Sequence, residues 1–214
     1  MARLPGDPGK AVVLASNNAK KLAELRRILE PLVPGIEVLG LADVTPYDEP
    51  AETESTFEGN ALLKARACLE VTGLPSLADD SGLCVDELNG MPGVLSARWS
   101  GVSKSDGGDA ANNALLLSQL GDVPDERRAA QFRCAMAFCT PDGNEIVEIG
   151  VMPGRVLRAE QGEGGFGYDP LFAADGYDVS TAELSAVEKD RISHRGKALT
   201  AIAPAIVEAL NRER

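Results

Sequence analysis

Two carboxylates, Asp79 and Asp80, stand side by side in the stretch SLADDSGLCVD, between the apolar pairs Leu77-Ala78 and Leu83-Cys84. One reading is an ordinary turn: Asp and Ser bond nearby backbone N–H groups and Gly82 adds conformational freedom. The other starts from the cost of two like charges beside apolar flanks, which a cation offsets, and makes the pair a candidate for metal binding or catalysis.

Three further stretches bear on the choice. SNNAKK, Ser16 to Lys21, sits where a strand should run into a helix, so Ser16, Asn17, Asn18, Ala19 and Lys20 offer backbone N–H groups to a phosphate and Lys21 a point charge. It lacks the glycines and the Gly-Lys-Ser/Thr ending of a Walker loop. The plainer alternative is that Ser16 or Asn17 caps the helix while Lys20 and Lys21 sit in water. GEGGFGYDP, Gly162 to Pro170, is no dinucleotide fingerprint, because Pro170 and an extended LFAA follow where a helix is required. Its glycines either let backbone approach a flat ligand on which an aromatic ring stacks, or form a hairpin loop over buried aromatics. EKDRISHRGKAL gathers Lys189, Arg191, His194, Arg195 and Lys197 around the one histidine of the chain. It is a solvated helix end, or a set of imidazole and guanidinium donors for a carbonyl or phosphate. Sorted by charge, Ser16 to Lys21, Lys64, Lys189 and Arg195 suit a polyphosphate, the carboxylates suit Mg²⁺, and GGFGYD suits a base. That is the inventory of a nucleoside triphosphate site.

The elements that must position these groups follow from periodicity. KAVVLAS is a buried strand running into a helix on which Leu22, Leu25, Leu29 and Leu32 recur, with Ile28 beside them. GIEVLG is a second strand, and YDEPAETES a loop. Ser55 with Glu58 forms a capping box for the helix TFEGNALLKARACLEV, whose inner face is Phe57, Ala61, Leu62, Ala65 and Leu69. After the Asp-Asp turn, a helix around GDAANNALLLSQLG ends at Gly121 and Pro124. RAAQFRCAMAFCT and EIVEIGVMPGRVL flank PDGN as a long antiparallel hairpin. A helix beginning near Ser180 to Glu183 and a last one, GKALTAIAPAIVEALNR, with a kink expected at Pro204, close an α/β fold on a mixed sheet. With no repeats and no composition shift, one compact unit over residues 1–214 is expected.

Composition narrows the class. A formal net charge of −12 argues against coating nucleic acid or binding an anionic membrane, since either needs basic patches. No apolar run is long enough to span a bilayer and MARLPGDPGK has no signal core, so a soluble cytoplasmic protein is expected. Cys68, Cys84, Cys134 and Cys139 match no zinc module, and with a single His any metal should be hard and oxygen-bound, such as Mg²⁺.

SNNAKKLAEL, TFEGNALLKA, LADDSGLCVD, PGVLSARWSG, GGFGYDPLF and EKDRISHRGKAL occur in the order found in the inosine triphosphate pyrophosphatase family, which the chain resembles over nearly its whole length. The resemblance implies an elongated mixed sheet flanked by helices, in two lobes around a central substrate cleft, usually as a homodimer. It implies Mg²⁺-dependent hydrolysis of dITP, ITP or XTP to the monophosphate and pyrophosphate. It makes Ser16 to Lys21 the phosphate-binding turn, Asp80 the general base or metal-ligating carboxylate, and Asp79 a support for the metal from behind or through water. Ser81 would touch substrate, Phe166, Gly167, Tyr168 and Asp169 would wall the base, and Lys189, His194 and Arg195 would complete the site. A further acidic ligand is expected from DEPAETES, with Glu52 favoured over Glu49. Donors at His194, Arg195 or backbone N–H groups would favour the 6-oxo purines over adenine, whose amine is itself a donor. Two rivals are a pyrophosphatase for modified pyrimidines or canonical triphosphates and a nucleotide-binding sensor without turnover.

Overall fold

Four consecutive buried residues, Ala11–Leu14, form strand β1 in a computed structural model that describes residues 10–212. β1 pairs in parallel with β2 (Glu37–Leu39) and with β3 (Ser76–Val85), in registers that set Val12 against Val38 and Val13 against Ser76. Helix α1 (Ala19–Leu29) buries Leu25 and Leu29. Its periodicity stops there: Leu32, expected on the same face, lies past the helix and is 51% exposed. Val33, whose N–H bonds Leu29 O at 2.9 Å as the chain turns, is buried instead.

Helix α2 (Phe57–Thr72) buries Phe57, Asn60, Ala61, Ala65 and Cys68, with Leu62 and Leu69 only partly covered. Its cap is Thr56, whose hydroxyl accepts from Gly59 N, and not the expected Ser55 with Glu58. The helix ends at Gly73, which takes φ +67° and bonds Leu69 O. α3 is Gly108–Gln119, β4 Ala129–Cys139, β5 Glu145–Val156 and β6 Phe172–Ala174. The six strands lie in the order β2-β1-β3-β4-β5-β6. β5 and β6 are antiparallel, and β4 and β5 join through a tight turn closed by Thr140 N–H to Asn144 O at 3.0 Å. The sheet is therefore mixed, with helices around it, as the alternation of elements implies.

Two other expectations change. Asp79 and Asp80 do not turn: β3 runs extended through Asp-Asp-Ser-Gly to Val85. Gly82 is there for space, since a Cβ on it would lie 2.3 Å from Ser96 Oγ and 2.5 Å from Gly93 O. Helix α4 (Ala186–Ile192) starts at Ser185, whose hydroxyl and Glu188 make the capping box. Ser180 and Glu183 close a turn instead, with Ser180 N–H on Glu183 Oε2 at 2.9 Å. The last helix, α5 (His194–Arg212), continues through Pro204 and buries Ala198, Leu199, Ile202, Ile206 and Leu210 along one face.

The chain divides into two compact units. One comprises the chain up to Asp80, Ala135–Gly150 and the part from Arg195 on; the other comprises Ser81–Cys134 and Val151–His194. The second has its own apolar core, in which Leu83, Leu116, Phe132, Met152, Leu171 and Phe172 pack together. Among the described residues, no helix is long and apolar enough to cross a membrane.

Candidate active site

Successive side chains of an extended strand point to opposite faces, and this resolves the adjacent carboxylates. Asp79, its side chain 2% exposed, accepts from Lys21 Nζ at 2.7 and 2.8 Å and from Arg195 Nε at 3.2 Å. Asp80 meets a different set. Its Oδ1 accepts from Lys64 Nζ at 3.1 Å and its Oδ2 from Asn60 Nδ2 at 3.1 Å, while Lys64 also donates to Glu52 Oε1 at 3.0 Å. Asp79 thus has two cations and Asp80 a third. Burial alone would raise Asp79, but the charges of Lys21 and Arg195 outweigh it and hold the carboxyl far below the usual range. For Asp80 burial wins: it lifts the pKa against the pull of Lys64, and the charge of Glu52 adds to the rise. Lys64 is opposed by burial and nonetheless raised, because Asp80 and Glu52 both face its ammonium.

The first unit builds this arrangement from local rules. Leaving β1, the chain turns with Ser16 Oγ accepting Asn18 N–H at 3.1 Å, and Asn18 Oδ1 accepts Lys21 N–H at 3.3 Å. Asn18, rather than Ser16 or Asn17, therefore supplies the helix-capping oxygen, and Lys21 is paired rather than solvated. Asn17 Nδ2 bonds Glu49 Oε1 at 3.1 Å, so Glu52, not Glu49, is the loop acid that shares a cation with Asp80. Asn60 and Lys64, one turn apart on α2, present to Asp80 together. Asn60 is fully buried and its Oδ1 accepts Glu54 N–H at 3.0 Å, which ties the acidic loop to the helix. A polar residue on the apolar face of α2 was its only signal in the sequence. The side chain of Lys20 lies outside the described part of the molecule.

The second unit holds Ser81, Phe166, Gly167, Tyr168, Asp169, Lys189 and His194. The two aromatics of GGFGYD lie differently, Phe166 outward and Tyr168 inward. Phe166 is 52% exposed with Lys189 Nζ 5.7 Å from its ring centre. Tyr168 is buried and its hydroxyl donates to Ser96 O at 2.9 Å. Asp169 is the loop's anchor: buried, it accepts from Phe166 N–H at 2.8 Å, from Thr181 Oγ1 at 2.9 Å and from Lys189 Nζ. Gly165, at φ +76°, is required by the same contact, since a Cβ would lie 2.1 Å from Asp169 Oδ2. His194 stacks on Phe132 with ring centres 5.0 Å apart and planes 12° from parallel, and Phe132 packs edge-on against Phe172 at 4.8 Å. Thr181 and Phe132 carry no sequence signal for these roles; only the fold brings them to Asp169 and His194. Ser81 follows Asp80 on β3 and is half-buried.

The Ham1 family model matches residues 12–205. A protein of Nocardia farcinica named dITP/XTP pyrophosphatase is 60% identical over 202 residues, covering 94% of this chain and 97% of its own. A crystal structure of a nucleoside-triphosphatase, dITP/XTP pyrophosphatase, from Mycobacterium abscessus is 54% identical with a TM-score of 0.76, covering 91% of this chain and 99% of the other. A structure of a HAM1 protein from Coxiella burnetii is 38% identical with a TM-score of 0.83, covering 92% of this chain and 98% of the other.

Proposed function

The chain belongs to the Ham1 family, the family of its sequence resemblance, and from that premise we propose that it hydrolyses non-canonical purine nucleoside triphosphates, dITP, ITP and XTP, to the monophosphate and pyrophosphate. The observation that carries the reading is Asp80 and Glu52 sharing the Lys64 ammonium, at 3.1 and 3.0 Å, while Asp79 on the adjacent residue holds Lys21 and Arg195. Lys64 shows that one cation satisfies both carboxylates, and an all-oxygen pair suits a hard ion. Among the described residues, no group of three or more His, Cys, Asp or Glu is arranged around a metal position. Glu52 and Asp80 would therefore hold Mg²⁺ jointly with substrate phosphates and water, as Mg²⁺ commonly binds. When bound it neutralises charge on the triphosphate and on departing pyrophosphate.

The two oxygens of Asp80 have different surroundings. Oδ1 accepts from Lys64, whose ammonium Glu52 shares; Oδ2 accepts from the neutral Asn60 amide and is the oxygen we assign to the attacking water. Water oxygen bonds to the α-phosphorus, its proton passes to Oδ2, and the α–β bridging P–O bond breaks with its electron pair leaving on pyrophosphate. Lys21 and Arg195, preset by Asp79, donate to phosphate oxygens. Phe166 offers an exposed face to the base, Lys189 is fixed beside it by Asp169, and His194 is a donor suited to a 6-oxo group. The reading extends to a cytoplasmic protein and to a homodimer, the dimer checked by light scattering on the purified protein.

The decisive assay incubates the protein with dITP, XTP, dGTP, dATP or dTTP and Mg²⁺, and measures pyrophosphate against orthophosphate. Preferred turnover of dITP and XTP with pyrophosphate as first product is expected, abolished by EDTA and by Asp80→Asn without loss of the fold. Orthophosphate as first product, equal turnover of dATP and dITP, or nucleotide binding without cleavage overturns the reading.

A further inference from the structure

Helix α3 contains adjacent buried amides, Asn112 and Asn113, in which only one is fully satisfied. Asn112 uses both ends: its Oδ1 accepts Ser100 N–H at 2.7 Å and its Nδ2 donates to Ser96 O at 3.3 Å. Asn113, 4% exposed, donates from Nδ2 to Gly167 O at 3.2 Å, and its Oδ1 is buried with no hydrogen-bond partner among the described residues. One turn earlier on the same face, Asp109 Oδ2 accepts Gly167 N–H at 3.1 Å. α3 thus grips both backbone groups of the glycine that follows the exposed Phe166.

The unsatisfied oxygen shows what the amide is for. Turning Asn113 over would set its oxygen against Gly167 O, two acceptors facing, so the grip on the loop dictates the orientation and leaves Oδ1 bare. An apolar residue would avoid that cost; the amide contributes position instead. Gly167 itself stands at φ +60° with nothing within 4 Å of where a Cβ would be, so its backbone needs glycine for conformation and its outer side is open.

We propose that Asp109 and Asn113 are positioning residues for purine recognition: by holding Gly167 at its N–H and its carbonyl, they set the placement of the Phe166–Gly167 segment against the base. The inference rests on the functional reading above and adds the device that tunes its base selectivity.

The test is steady-state kinetics of Asn113→Ala, Asp109→Ala and Asp109→Asn, with thermal melts as the check on folding. Each alanine variant should raise the KM for dITP about threefold to tenfold, the weight of one hydrogen bond, with kcat within about twofold. The dITP-to-dATP preference should fall by a similar factor. Asp109→Asn retains an oxygen acceptor and should restore most of the loss. Product inhibition separates positioning from general damage: dIMP, which carries the base, should inhibit more weakly, while pyrophosphate, which does not, should inhibit as in the wild type. Unchanged KM and dIMP inhibition in folded variants, or equal weakening for dIMP and pyrophosphate, overturns the proposal. Should Asn113→Ala fail to fold, the Asp109 pair decides alone. Wild-type turnover of dITP is the control: its absence defeats the functional reading, whereas its presence with indifferent variants defeats this inference only.

Discussion

At the scale of single residues, the two aspartates of β3 sit in different charge environments. Asp79 is almost fully buried between two cations, whereas Asp80 keeps one cation, one neutral amide and a neighbouring carboxylate. Removing one partner of a buried ion pair leaves the other charge uncompensated, which costs several kcal/mol. Asp79→Ala takes the shared carboxylate away from Lys21 and Arg195, whose side chains are only 21% and 14% exposed, and is expected to cost about 3 kcal/mol of stability. Urea denaturation measures it, and a loss below about 1 kcal/mol would contradict the role given to the pair. Asp80→Asn keeps the shape and relieves a carboxylate whose pKa burial has already raised, so its cost should fall on turnover far more than on stability.

At the scale of elements, β3 carries the lesson that local turn chemistry yields to tertiary partners. Asp-Ser-Gly satisfies every rule for a turn, yet the strand continues, because Lys21 and Arg195 reach Asp79 from 58 and 116 residues away in the sequence. No local pattern holds that information. Gly82 supplies the complement: it admits Ser96 and Gly93 against the strand, so Gly82→Ala must move backbone rather than a flexible side chain. Overpacking of this kind typically costs 1–3 kcal/mol, and here the upper half of that range, about 2–3 kcal/mol, is expected in urea unfolding; a variant as stable as the parent would refute the close approach. The β1–α1 unit, the PDGN hairpin and α3 were legible, since each rests on periodicity or on turn residues with few alternatives. Cap positions were legible only to within a residue or a turn: Ser55 and Thr56 both precede α2, and Ser-x-x-Glu patterns begin at both Ser180 and Ser185. Of the site, residue types were legible, while the split of Phe166 outward and Tyr168 inward required the loop's anchor at Asp169.

At the scale of the whole molecule, the candidate phosphate-binding cations with described side chains are each committed to a carboxylate: Lys21 and Arg195 to Asp79, Lys64 to Asp80 and Glu52, Lys189 to Asp169. The positive charge that a triphosphate would meet is short-ranged and already compensated, whereas the chain as a whole carries −12. Long-range fields set the encounter rate and are screened by salt over a Debye length of about 10 Å at 0.1 M; buried pairs are screened far less. Net repulsion of an anionic substrate should therefore weaken with added salt while the local contacts persist. We expect kcat/KM for dITP, at saturating Mg²⁺, to stay level or rise about twofold as NaCl goes from roughly 20 to 150 mM, the opposite of an enzyme that draws nucleotides in through an open basic patch. Initial rates across a salt series test this, and a tenfold fall over that range would show that exposed cations, rather than preset ion-paired ones, govern capture of the substrate.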